Sequence, residues 1–235
     1  MAFPMTVLLV FLHSISAPVY LADILCALLI TPLIAWIRPR NSPSPDGILL
    51  FGLPVALLLQ PHCPAVCLLA VALHLTEYLS TEHALRRSGN GREKNFALIA
   101  AYRATLAHCH NFPDELHPTQ NPLFQPARNA LQALHALIPS AALLPGLLIN
   151  ASGMHLPENL FVRCLLQIAA LACLILNRNA LSMHKISAHA VRSFLLRRFL
   201  PAAVLACLIA MLQVRDLPFA VLLFCCAPNT DSGFN

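Results

Sequence analysis

The sequence predicts an all-α fold, a polytopic integral membrane helical bundle of roughly five apolar passes, with a re-entrant hairpin at 48–79 and a cytoplasmic amphipathic helix. Three observations carry this. First, 58% of the 235 residues are hydrophobic and 11% charged, with a mean hydropathy of +0.69, far from the balance of a soluble domain. Second, the charges gather into three tracts, 38–46, 82–128 and 178–198. Third, the stretches between them are nearly uninterrupted apolar runs of the length that crosses a bilayer, about 20 residues at 1.5 Å each. The whole chain, 1–235, therefore reads as a single membrane domain.

Met1–Ile15 is apolar but has no basic leader and no clear small-residue cleavage site, so it is expected to remain part of the first membrane element. Ala17–Ile37 is the first full pass, bent near Pro18 and stopped by Arg38-Pro39-Arg40. Ile48–Leu79 is too long for one straight crossing, about 48 Å against a hydrocarbon core of about 30 Å. Gln60-Pro61-His62-Cys63-Pro64 in its middle favours a hairpin that turns back. The segment 80–128 is predicted to be a cytoplasmic polar loop carrying a helix at 93–109, with Leu98, Tyr102, Leu106 and Cys109 on one face. Ala127–Asn150 then crosses with kinks at Pro139 and Pro145-Gly146, and Asn159–Asn177 crosses back. The basic stretch 178–198 is expected to lie on the membrane surface as an amphipathic helix. Arg178, Lys185, His189 and Arg192 form its polar face, a surface for anionic lipid or an acidic partner. Phe199–Gln213 makes a shorter final pass.

With the hairpin, the loops at 38–47, 80–128 and 178–198 share one face and hold all of the 15 Lys and Arg residues except Arg163 and Arg215. The positive-inside rule makes that face cytoplasmic. The net charge of +5 is thus read as topology. No basic run is interleaved with aromatics, so nucleic acid is not an expected partner. Among the nine cysteines, Cys26, Cys67, Cys164, Cys173 and Cys207 sit inside apolar helices as small hydrophobes, and there is no CxxC.

Charge inside a membrane usually has a reason. Asp23 and Arg163 are the two clear cases, and the hairpin topology would place both in the outer half of the bilayer as an ion pair. His74 and His135 are single imidazoles in apolar passes. On facing helices they have the chemistry of haem ligands, or with Glu77 that of a proton site, although a core histidine bonded to a neighbouring helix is the simpler role. The densest polar run, His108 to His117, offers His108, His110, Asp114 and His117 as metal ligands, yet it matches no recognised zinc or di-iron signature. No motif calls for a cofactor: phosphate loop, nucleophile elbow and aspartate-rich diphosphate motif are all missing. The functional reading that agrees best is a non-catalytic membrane subunit or assembly factor of a secretion, conjugation or respiratory type of complex, in a bacterial inner membrane. Its partners would be lipids and other membrane subunits. The alternative is a membrane-embedded enzyme that acts on a lipid-linked or hydrophobic substrate through His108–His117.

Overall fold

The helices start and stop where proline and short polar side chains interrupt the backbone ladder. The computed structural model describes residues 2–38, 47–60, 64–87, 137–138, 140–177, 188–213 and 217–227, and among these every regular element is helical. The helix α1 (Ala2–Ser14) ends in polar groups that take up its last carbonyls: Ser14 Oγ donates to Phe11 O and Ser16 Oγ to His13 O, both at 2.8 Å. After an extended stretch, α2 (Leu21–Ile37) begins past Pro18 and carries Pro32 inside. Thr31 Oγ1 bonds back to Ala27 O just before that proline.

The next segment enters through a π-helical turn, Ile48–Gly52, continues as α3 (Leu53–Leu59), and breaks at Gln60. Then α4 (Pro64–Arg87) follows. A Cβ on Gly52 would sit 2.9 Å from the Phe224 ring, while Arg38 donates to Phe224 O and pairs with Glu77 Oε1 at 2.5 Å. Gly52 and Glu77 therefore border the same few residues, whereas a continuous helix would hold them about 37 Å apart. The chain turns back at Gln60, so 48–77 is a helical hairpin, as its central prolines lead one to expect.

Downstream lie α5 (Leu143–Ala151), a turn at Gly153 with φ +84°, and α6 (Leu160–Leu176), whose first turn is capped by Asn159 Oδ1 accepting from Val162 N at 2.8 Å. Beyond it, α7 (Ala188–Phe194) runs through a second π-helical turn, Leu195–Phe199, straight into α8 (Leu200–Met211). The last element is α9 (Leu217–Cys226). No backbone break falls at 198, where the basic interfacial helix was expected to give way to a separate pass. Residues 188–211 are one continuous helix, because a π-turn accommodates Pro201 without interrupting the rod.

The helices run between two ends. At one end meet Arg38, Leu50, Gly52, Glu77, Asn177 and the 224–227 segment; at the other, Ile15 O accepts from Leu156 N at 3.1 Å and Asn150 reaches Ser14 and Ala17. The inner hairpin arm α4 is central and packs on α1, α2, α3, α5 and α9. Its Val66, Cys67, Leu69, Ala70 and Leu73 are fully buried together with Leu53, Leu57, Ile34 and Phe224. One helix among the described residues, Val191–Met211, is long and apolar enough to cross a membrane; the other apolar helices have 10–17 residues. The expected full passes 17–37 and 159–177 appear as helices of 17 residues, about 25 Å each, trimmed by extended backbone at 18–20 and by the Asn159 cap. Of the expected pass 127–150, the described part is 137–138 and 140–150, and the loop helix at 93–109 lies outside the described residues.

Candidate functional site

The polar side chains inside this bundle converge on the carbonyls that the helix breaks leave without partners. A proline donates no N–H to the residue four before it and crowds that carbonyl, so Pro54 frees Leu50 O. Asn177 Nδ2, from the end of α6, reaches this atom at 3.5 Å. Farther along the same antiparallel contact, Gln167 Nε2 donates to Leu58 O in the last turn of α3 at 3.2 Å. Asn150 Nδ2 donates to Ser14 O at 3.2 Å and to Ala17 O past the end of α1. Thr6 Oγ1 and Cys173 Sγ, 3.3 Å apart, join α1 to α6 beside Asn177.

Among the described residues the buried charges meet in the Arg38 cluster. Arg38 closes α2 at 4% exposure, with Nε against Glu77 and Nη1 donating to Phe224 O and, at 3.5 Å, to Ala227 O. A guanidinium here satisfies the last carbonyls of α9, stands at the negative end of that helix, and neutralises the carboxylate of α4. Arg198, in the second π-turn, lies near enough to feel the charge of Arg38, and that turn packs on α9. Three helices are thus tied together at one end, with the second π-turn packed on α9 beside them. One turn before Glu77, His74 is 2% exposed, with Nδ1 2.9 Å from Ser140 Oγ, which links α4 to the segment entering α5.

The residues singled out in sequence fall at different places in this fold. Arg38 reads in sequence as a stop signal in an aqueous loop, but it is buried and paired. The carboxylate that pairs with it is Glu77, and no sequence spacing links positions on two separate helices. Glu77, offered in sequence as a proton partner of His74, has Arg38 Nε 2.5 Å from its Oε1. Asp23 is half-buried in the first turn of α2, while Arg163 is exposed near the start of α6. The main neighbours of α2 are α4, α9 and α8, those of α6 are α3 and α1, and the buried ion pair of the gathered-charge end is Arg38–Glu77. His74 takes the simpler role, bonded to a neighbouring segment, and His135 lies outside the described residues. His189 and Arg192 are exposed on α7. Arg178, Lys185, His108, His110, Asp114 and His117 also lie outside the described residues. The amide caps Asn150, Gln167 and Asn177 were missed. Each is a single amide in or beside an apolar run, a visible oddity in sequence, but the carbonyl it meets lies on another segment and leaves no local mark.

Comparison with family models, with characterised proteins and with solved structures returns no match.

Proposed function

We propose that this chain is a multi-pass membrane protein that acts as a non-catalytic packing subunit or assembly factor within a larger membrane complex. One observation carries the reading: among the described residues the bundle is apolar outside, and its interior polar groups are spent on its own backbone and on one another. Leu21, Leu29 and Trp36 on α2, Leu160, Phe161 and Ile168 on α6, and Leu200, Leu208 and Met211 on α8 face outward. In water such a surface is unusual, since soluble monomers rarely expose contiguous apolar patches beyond a few hundred Å². In a bilayer it is the ordinary surface, and backbone carbonyls freed by proline must then find partners inside the protein. Helices of 17 residues fall at the short end of the spanning range, a mismatch that local thinning of the bilayer accommodates at modest cost. The gathering of Arg38, Glu77 and Arg198 at one end supports a shared face for the three basic tracts, which the positive-inside rule makes cytoplasmic.

The non-catalytic part rests on where the polar groups are directed. Arg38, Asn150, Gln167 and Asn177 each hold helix-end or proline-freed carbonyls, which is architectural work. Affinity purification of the full chain from native membranes in mild detergent tests this. Other membrane proteins should elute with it in fixed ratio. Elution of the chain by itself, with turnover of a hydrophobic substrate that is lost on changing His108, His110 and His117 together, would instead establish the enzyme.

A further inference from the structure

The continuous helix 188–211 carries a feature that neither scaffolding nor topology requires. Arg197 is exposed in its π-turn, and Leu200, Val204, Leu208 and Met211 follow at three, seven, eleven and fourteen residues, every one of them exposed. This is the spacing of one helix face, a guanidinium at the head of an apolar stripe about 16 Å long. Arg198, next to it, is half-buried near the end of α9, where Arg38 already serves Glu77 and the α9 carbonyls. Among the described residues this end thus holds Arg38, Arg197 and Arg198 against the single carboxylate of Glu77, which is paired with Arg38. The described residues of this end hold a surplus of positive charge next to an exposed hydrocarbon surface.

We propose that Arg197 and Arg198 bind the phosphate of one anionic phospholipid, whose acyl chains lie along Leu200, Val204, Leu208 and Met211. The charge surplus selects an anion, and paired guanidiniums offer the forked donors that match phosphate oxygens. The stripe selects a lipid over a free anion. This inference rests on the membrane reading above, but it can fail while that reading stands.

The test is native mass spectrometry of the full chain, released from detergent containing equal phosphatidylglycerol and phosphatidylcholine. The wild type should retain one phosphatidylglycerol in preference to phosphatidylcholine. Replacing Arg197→Gln with Arg198→Gln should reduce that preference by about fivefold per arginine, as expected for basic residues at an anionic surface. Arg197→Lys with Arg198→Lys, which keeps the charge, should retain most of it. Arg163→Gln, which removes an exposed arginine on another helix, should leave it unchanged. Excess inorganic phosphate should fail to displace the lipid. An integral membrane protein with no lipid preference, an equal loss in Arg163→Gln, or displacement by phosphate alone would each overturn the site. Retention of an acidic polypeptide there, to the exclusion of lipid, would overturn it too.

Discussion

Arg38 shows how one side chain is read differently by sequence and by structure. In sequence it opens Arg38-Pro39-Arg40 after an apolar run, and the local signal is a stop at an aqueous face. In the fold its partners are Glu77 and the carbonyls of Phe224 and Ala227, 186 and 189 residues away in the latter two cases, and no local pattern reports such partners. Removing one member of a buried pair leaves the other charge uncompensated, at about 3–5 kcal/mol. Arg38→Leu and Glu77→Leu should each sharply lower the thermal stability of the purified protein, and the two combined should cost less than the two single losses added. Additive losses in that double-mutant cycle would mean the two do not act as a pair. Arg38→Lys should also be harmful, because a single ammonium cannot serve a carboxylate and two carbonyls with the geometry of a guanidinium fork. Gly146 makes a second prediction. A Cβ there would run into Ser14 Oγ and lie 3.1 Å from Phe11 O, so Gly146→Ala should destabilise by about 1–3 kcal/mol despite the better helix propensity of alanine. Ser14→Gly should restore much of that loss. By contrast Gly153 has open space around it, and its cost on substitution comes from its positive φ alone, so Gly153→Asn should be milder than Gly153→Ala.

At the scale of elements, two prolines explain two irregular turns. Pro54 and Pro201 each follow a π-helical turn by two residues, and the widened turns rebond as Leu53 N to Ile48 O and Leu200 N to Leu195 O. Widening draws the backbone away from the proline ring. The first case has a further consequence, since Leu50 O is left for Asn177. Asn177→Leu should therefore cost about 1–3 kcal/mol for a buried carbonyl without a donor. In a Pro54→Ala background the cost should fall, because alanine at that position supplies the missing N–H. An equal cost in both backgrounds, measured by thermal unfolding in detergent, would sever the link between the proline and the amide. The hairpin at 48–77 was legible in sequence because Gln60-Pro61-His62-Cys63-Pro64 breaks the ladder locally. The continuity of 188–211 was not, because clustered charge at 192–198 looks like a boundary while helical backbone tolerates charge wherever the side chains can reach outward. Asn177 was equally hidden: its partner is a carbonyl, which every residue has, freed by a proline in another segment.

For the whole molecule, helical class and apolar composition were legible from the start, since both are summed over many residues. The arrangement of helices was legible only in part. Pass lengths counted on apolar runs overran the true helices, because the Asn159 cap and the non-helical backbone at 18–20 start them later than hydropathy does. Depth along the passes, which suggests pairing Asp23 with Arg163, says nothing of which helices are neighbours; packing places α2 mainly against α4 and α6 mainly against α3.

The central claim is that the outward apolar surface is covered by lipid, and the chain carries one reporter suited to it. Trp36 is the single tryptophan, it is 75% exposed, and it lies two residues from the buried Arg38 at the gathered-charge end of α2. The direct measurement is quenching of its fluorescence in the full chain, reconstituted into vesicles, by phospholipids brominated at different depths and by aqueous iodide. An indole at the end of a membrane helix sits near the headgroup boundary. The account therefore predicts strong quenching by bromines placed high on the acyl chains, weaker quenching by deep bromines, and little effect of iodide. Strong iodide quenching with no response to brominated lipid would place this face in water and contradict the membrane reading.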